Sequence, residues 1–121
     1  MTEDRLSASM EDYLEAIYHV VEAKQAVCVK DIADRLRVNS SSVTSALHAL
    51  KERDLVNYEP YDLVTLTPQG YRLAREIVRG HEALRSFFVD VLGVDPEEAE
   101  SAACGMEHAM SPLVLERLVR F

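Results

Sequence analysis

Between residues 29 and 66 the hydrophobic period of this chain changes twice, and few folds accommodate that order. Ile32, Ala33 and Leu36 share one face of a short helical segment, Val29–Leu36. Arg37, Val38 and Asn39 interrupt it as a tight turn. Helical spacing resumes at Val43, Ala46, Leu47 and Leu50, which form one stripe for burial. Residues 55–58 and 63–66 then alternate on a two-residue period around Glu59-Pro60-Tyr61-Asp62, a turn composition. Two short helices joined by a tight turn, followed by a hairpin, are the order of a winged helix-turn-helix.

The flanking residues read as helices. Residues 8–24 carry Tyr13, Leu14, Ile17, Tyr18, Val20 and Val21 at helical spacing, with Ser7 or Ser9 as cap. Val27-Cys28-Val29 favours a strand stub, and Ser40-Ser41-Ser42 offers N-cap hydroxyls to the helix that follows. Thr67 as N-cap and Pro68 at the first position open a long helix reaching about residue 92, with Leu73, Ile77, Leu84, Phe87, Phe88 and Val91 apolar, and Gly93 ends it. Asp95-Pro96-Glu97-Glu98 starts a helix to about residue 110, and Ser111-Pro112 starts a last one over 113–121. The fold class is mainly α, with a winged helix-turn-helix in 1–70 and a helical domain in 71–121. Of 121 residues, 48% are hydrophobic, enough for a real core. The abrupt apolar end at Phe121 predicts a longer parent chain.

Thirteen Lys and Arg against 21 Asp and Glu leave a formal charge of −8, which opposes non-specific nucleic-acid binding. The acids are uneven, however. Residues 29–53 hold Lys30, Arg35, Arg37, Lys51 and Arg53 against Asp31, Asp34 and Glu52. The outer face of the second short helix carries Ser41, Ser42, Thr44, Ser45, His48 and Lys51, with Asn39 and Ser40 at its start. These small polar and basic groups suit phosphates and base edges of double-stranded DNA, and Tyr58 and Tyr61 are placed to touch the backbone from the wing. The bland alternative is that the serines only cap a helix and the hairpin is structural. With two cysteines, Cys28 and Cys104, and no apolar run long enough to span a membrane, the expectation is a cytoplasmic protein with reduced thiols.

Cys104-Gly105-Met106-Glu107-His108 is the second constellation. At about 100° per residue, Cys104 projects between the directions of Glu107 and His108, so thiolate, carboxylate and imidazole converge. These are standard ligands for Fe(II), Zn(II), Co(II) or Mn(II). Asp12 and Glu15 form an acidic pair interrupting an apolar stretch, and His81 on the long helix is flanked by apolar positions. Taken singly, each residue favours the bland reading: Glu15 a solvated residue, His81 a satisfied core histidine, Cys104 a small buried hydrophobe; the convergent cluster with a second acidic pair is what points to metal.

Taken together, the chain resembles the DtxR/MntR family of metal-dependent transcriptional repressors. The likeness rests on Ser9-Met10-Glu11-Asp12-Tyr13-Leu14-Glu15-Ala16-Ile17-Tyr18, Ile32-Ala33 with Ser41-Ser42-Val43-Thr44, Leu66-Thr67-Pro68-Gln69-Gly70, and Cys104-x-x-Glu107-His108 with Met110-Ser111. It implies a homodimer on palindromic operator DNA, with 71–121 as the dimerisation and metal-binding domain, activated by Mn(II) or Fe(II). Metal then joins Asp12 and Glu15 to His81, Cys104, Glu107 and His108. Asp12 matches the manganese branch of the family and Cys104 the iron branch. Arg85 stands where relatives carry an acidic ligand, Glu100 where iron-type relatives place a histidine, and the SH3-like third domain of longer members is absent. The rivals are a metal-independent winged-helix regulator of a small organic ligand and a winged helix that binds protein. An enzyme using Cys104 and His108 is disfavoured, because no glycine-rich oxyanion loop accompanies them.

Overall fold

A computed structural model describes residues 6–24, 27–59 and 63–121. Pro60, Tyr61 and Asp62, the expected hairpin tip, lie outside the described residues, as do Gln25 and Ala26. The chain divides into two compact units, Met1–Arg75 and Glu76–Phe121.

In the first unit, α1 (Ala8–Lys24) opens with Ser7, whose Oγ accepts from the Met10 amide at 3.2 Å. Its inward face is Leu14, Ala16, Ile17 and Val20. Tyr13 and Tyr18, expected on that face, are half-buried at its border. The helix packs on α2 (Val29–Leu36) and α3 (Ser40–Glu52), which also pack on each other. Asp31 Oδ2 accepts from the Cys28 amide at 3.1 Å and so caps α2. Arg37, in the left-handed region at φ 57°, ends the helix, and the Val38 amide reaches back to the Ala33 carbonyl at 3.1 Å.

Asn39, rather than the serine run, caps α3. Its Oδ1 accepts from the Ser42 amide at 2.8 Å and from Ser41 Oγ at 3.0 Å. Ser40, Ser41 and Ser42 are already helical, and of their hydroxyls only that of Ser41 joins the cap, as a donor to Asn39. Val43, Leu47 and Leu50 are fully buried, as their spacing predicts.

The hairpin is short. β1 (Val56–Asn57) pairs antiparallel with β2 (Thr65–Leu66), Val56 opposite Leu66 and Asn57 opposite Thr65. The strand stub expected at 27–29 shrinks to one bridge, in which the Val64 amide donates to the Val27 carbonyl at 2.6 Å. Thr67 then ties the wing to the next helix. Its Oγ1 donates to the Asp54 carbonyl at 2.6 Å and accepts from the Gly70 amide at 2.9 Å, which caps α4 (Pro68–Ser86). Gly70 lies against Leu55, where a Cβ would stand 1.9 Å from the Leu55 carbonyl oxygen.

The second unit holds the rest of α4, a π-helical turn at Phe87–Val91, α5 (Pro96–Glu107) and α6 (Pro112–Arg120). The wider π turn shifts the helical register, so Val91, expected inward, is exposed. Gly93 at φ 68° ends the segment. Asp95 caps α5 by accepting from the Glu97 amide at 3.1 Å, and Ser111 caps α6 by accepting from Val114 at 3.2 Å. Ala99 and Ala103 line the buried side of α5, which packs on the π turn. Gly80 of α4 leaves room for Leu115, whose Cδ2 would lie 3.1 Å from an added Cβ. The helix α5 stops at Glu107, short of the expected residue 110, and His108 is its C-cap.

Two substitutions test this account by denaturant unfolding. Gly70→Ala drives a methyl into backbone and is expected to cost about 3 kcal/mol; a neutral result contradicts the close approach. Asn39→Ala is expected to cost about 1 kcal/mol, whereas Ser40→Ala changes little; the reverse order would return the cap to the serines.

Candidate functional site

The polar face of α3 belongs to the first unit. Ser40, Ser41, Ser42, Ser45, His48 and Lys51 are exposed on it, as the helical spacing requires. Thr44 is half-buried, its Oγ1 donating to the Ser40 carbonyl at 3.0 Å. Asn39 is exposed, but its carbonyl oxygen is committed to the cap. Lys51 Nζ meets Glu59 Oε2 at 2.8 Å, tying the end of α3 to the wing. The hydrogen bond from Lys51, then its charge, holds the Glu59 carboxyl below its ordinary pKa.

Tyr58 departs from the expected wing contact. It is buried, and its ring meets His48 edge-on at 5.8 Å between centroids. The reason was present in the residues: Tyr58 is two residues from the buried Val56, so both side chains point to the core face of the strand. Tyr61 lies outside the described residues. The exposed polar face is therefore α3 itself.

The second constellation lies in the helical unit. His81 projects from α4 onto α5, and both it and Glu107 are buried, at 8% and 4% exposure. Nδ1 of His81 stands 2.8 Å from Glu107 Oε1, and Nε2 stands 2.7 Å from Glu100 Oε2. Glu100 Oε1 also accepts from Arg85 Nε at 3.2 Å. On the far side of Glu107, His108 Nε2 lies 4.0 Å from the same Oε1 that faces His81. Burial lowers the His81 pKa, but the hydrogen bonds and charges of Glu107, then Glu100, outweigh it and leave the pKa raised. The imidazole thus favours a positive charge at a buried position.

A divalent cation fits this donor set. Cis ligands at about 2.1 Å from one ion stand about 3 Å apart. The 2.8 Å spacing of His81 Nδ1 and Glu107 Oε1 matches that separation. An imidazole nitrogen and a carboxylate oxygen are ligand types that suit Mn(II), Fe(II) and Zn(II).

The expected residues are placed unequally. His81 and Glu107 come together, and His108 Nε2 stands 4.0 Å from Glu107 Oε1. Cys104 is exposed, although one turn of α5 separates it from buried Glu107. Helical direction predicts which way a side chain leaves the axis, and burial depends on the neighbours it meets there. Asp12 and Glu15 are half-buried on α1, in the first unit, where Glu15 Oε2 lies 3.8 Å from His19 Nε2. Glu100 is the partner that residue patterns missed. It is nineteen positions from His81 on another helix, and no spacing rule links the two.

Comparison with known proteins follows the same division. Residues 5–64 match the profile described as "Iron dependent repressor, N-terminal DNA binding domain". Residues 67–121 match "Iron dependent repressor, metal binding and dimerisation domain". The chain is 39% identical over 117 residues to an uncharacterized HTH-type transcriptional regulator of Methanocaldococcus jannaschii, covering 96% of this chain and 94% of that protein. It is 38% identical over 110 residues to the HTH-type transcriptional regulator MntR of Listeria monocytogenes, covering 91% and 77%. Among solved structures, a manganese-dependent transcriptional repressor in complex with manganese aligns with a TM-score of 0.79 at 34% identity, over 90% of this chain and 50% of that one. The IdeR protein of T. acidophilum aligns with a TM-score of 0.76 at 27% identity, over 91% and 52%. This chain therefore spans about half the length of those solved chains. Among the described residues no helix is long and apolar enough to cross a membrane. The chain belongs to the iron-dependent repressor family, the DtxR/MntR group of metal-dependent transcriptional repressors.

Proposed function

We propose that this protein is a cytoplasmic, homodimeric repressor that binds operator DNA when loaded with Mn(II) or Fe(II), and so controls genes of metal homeostasis. The observation that carries the reading is the buried His81–Glu107 pair with His108 beside it, in a chain whose other unit presents a polar recognition helix. Residues 1–70 serve as the DNA-binding domain and 71–121 as the dimerisation and metal-binding domain. The two family profiles support that division.

His81 Nδ1, Glu107 and His108 form the nucleus of the ligand set, and Cys104, Asp12 and Glu15 complete it. The bound cation supplies a fixed positive centre that neutralises carboxylates otherwise costly to gather. Because Asp12 and Glu15 lie on α1 and the others follow Arg75 in the chain, such ligation ties the DNA-binding unit to the dimerising one. That sets the separation of the two α3 helices in the dimer and favours the DNA-competent state. By linkage, DNA and metal then raise each other's affinity. Thiolate at Cys104 favours iron and carboxylate at Asp12 favours manganese, so either ion is accommodated. On the DNA side, Ser41, Ser42, Ser45, His48 and Lys51 supply the contacts from α3. Lys51 must exchange Glu59 for phosphate as it binds.

The direct test is an electrophoretic shift with duplex DNA selected from a random library by the Mn(II)-loaded protein. Mn(II) or Fe(II) is expected to raise affinity by about 100-fold over chelated protein; equal binding after chelation contradicts metal activation. Glu107→Ala and His108→Ala are expected to abolish that response, with folding checked by thermal melting. A normal metal response in well-folded variants contradicts the ligand assignment. Ser45→Glu places a negative charge opposite phosphate. It is expected to weaken DNA binding at least about tenfold while Mn(II) affinity stays unchanged; undiminished DNA binding places the interface elsewhere.

A further inference from the structure

Four side chains of α4 and α5 form one unbroken line of contacts: Arg85, Glu100, His81 and Glu107. Glu100 is engaged at both oxygens, Oε1 by Arg85 Nε at 3.2 Å and Oε2 by His81 Nε2 at 2.7 Å. The two ring nitrogens of His81 therefore face different surroundings. Nδ1 meets a carboxylate buried to 3% side-chain exposure, with His108 beyond it. Nε2 meets a carboxylate at 55% exposure that a guanidinium already holds.

An imidazole that gives one nitrogen to a metal binds best when its other N–H has a fixed acceptor, because the acceptor sets the tautomer and the ring plane. Glu100 stands where that acceptor is needed. Arg85 has a further consequence. A guanidinium never loses its charge at accessible pH and cannot itself be a metal ligand. Its contact with Glu100 puts a permanent cation on the Nε2 side of the ring. A divalent ion on that side would have to displace Arg85 from Glu100 and compete with Glu100 for Nε2.

We infer that Arg85 acts as a resident cation: it locks Glu100 as the acceptor for His81 Nε2–H and keeps any divalent ion off the Nε2 side of the ring, so that metal binds only on the Nδ1 side. Arg85 and Glu100 are positioning residues, and neither ligates. This inference rests on the metal-binding reading above, and the experiment separates the two.

The test is calorimetric titration of the full chain with Mn(II) alone, with bound manganese counted after desalting. Arg85→Lys, which keeps the charge, is expected to bind as many ions per subunit as the unmodified protein. Arg85→Glu is expected to admit one further ion per subunit, since it removes the cation and adds a carboxylate beside Glu100. Glu100→Gln is expected to keep the ion count but bind metal about tenfold more weakly. Arg85 and Glu100 are both about half exposed, so these variants are expected to fold, which melting curves verify. An unchanged ion count in Arg85→Glu, or undiminished affinity in Glu100→Gln, overturns the inference while leaving metal binding intact. No bound ion in the unmodified protein overturns both.

Discussion

The structure turns on an imidazole held between two carboxylates inside a small helical unit. Burying His81 and Glu107 together removes both from water, a cost of several kcal/mol for each ion unless the pair is well bonded. At 2.8 Å the pair is well bonded, and the charge on the ring depends on it. A proton on the ring, or a cation beside it, offsets part of the carboxylate charge. Replacing both residues by apolar ones of similar volume is often neutral or stabilising, whereas replacing one strands the other's charge, so stability alone gives little reason for the pair.

Around that centre, small backbone devices set where each group stands. Asn39 closes the start of α3 with its own oxygen and leaves the three serines exposed. Thr67 bonds backward to Asp54 and forward to Gly70, so the wing cannot move without the first turn of α4. Gly70 permits this because no Cβ fits against Leu55. In the other unit the π turn at Phe87–Val91 and Gly93 end the long helix and lead into α5, the helix that carries Glu100 and Glu107. The polar face of α3 and the His81–Glu107 pair are thus each placed by a few obligatory contacts.

Much of this was legible in the residues, for reasons that differ by element. The helices α2 and α3 show because Ile32, Ala33, Val43, Leu47 and Leu50 keep a strict helical period and all are buried. The cap of α3 was misplaced by one residue, since Asn and Ser cap almost equally well and only the backbone decides between them. Tyr58 was read outward although its spacing from Val56 points inward. The exposure of Val91 followed from a π turn, which composition does not announce. At the buried His81–Glu107 pair, the spacing of Glu107 and His108 is a local property of one helix end and is legible in the residues. The roles of Glu100 and Arg85 are not, because they depend on how two helices far apart in sequence face each other.

The central claim is that imidazole nitrogen from this unit enters the coordination shell of the ion. Pulsed electron paramagnetic resonance of the Mn(II)-loaded protein, with histidine labelled by ¹⁵N, measures that directly. Strong coupling to bound nitrogen, reduced in His81→Ala, is the predicted result. A spectrum showing only oxygen ligands and water, unchanged by that substitution, would contradict the account.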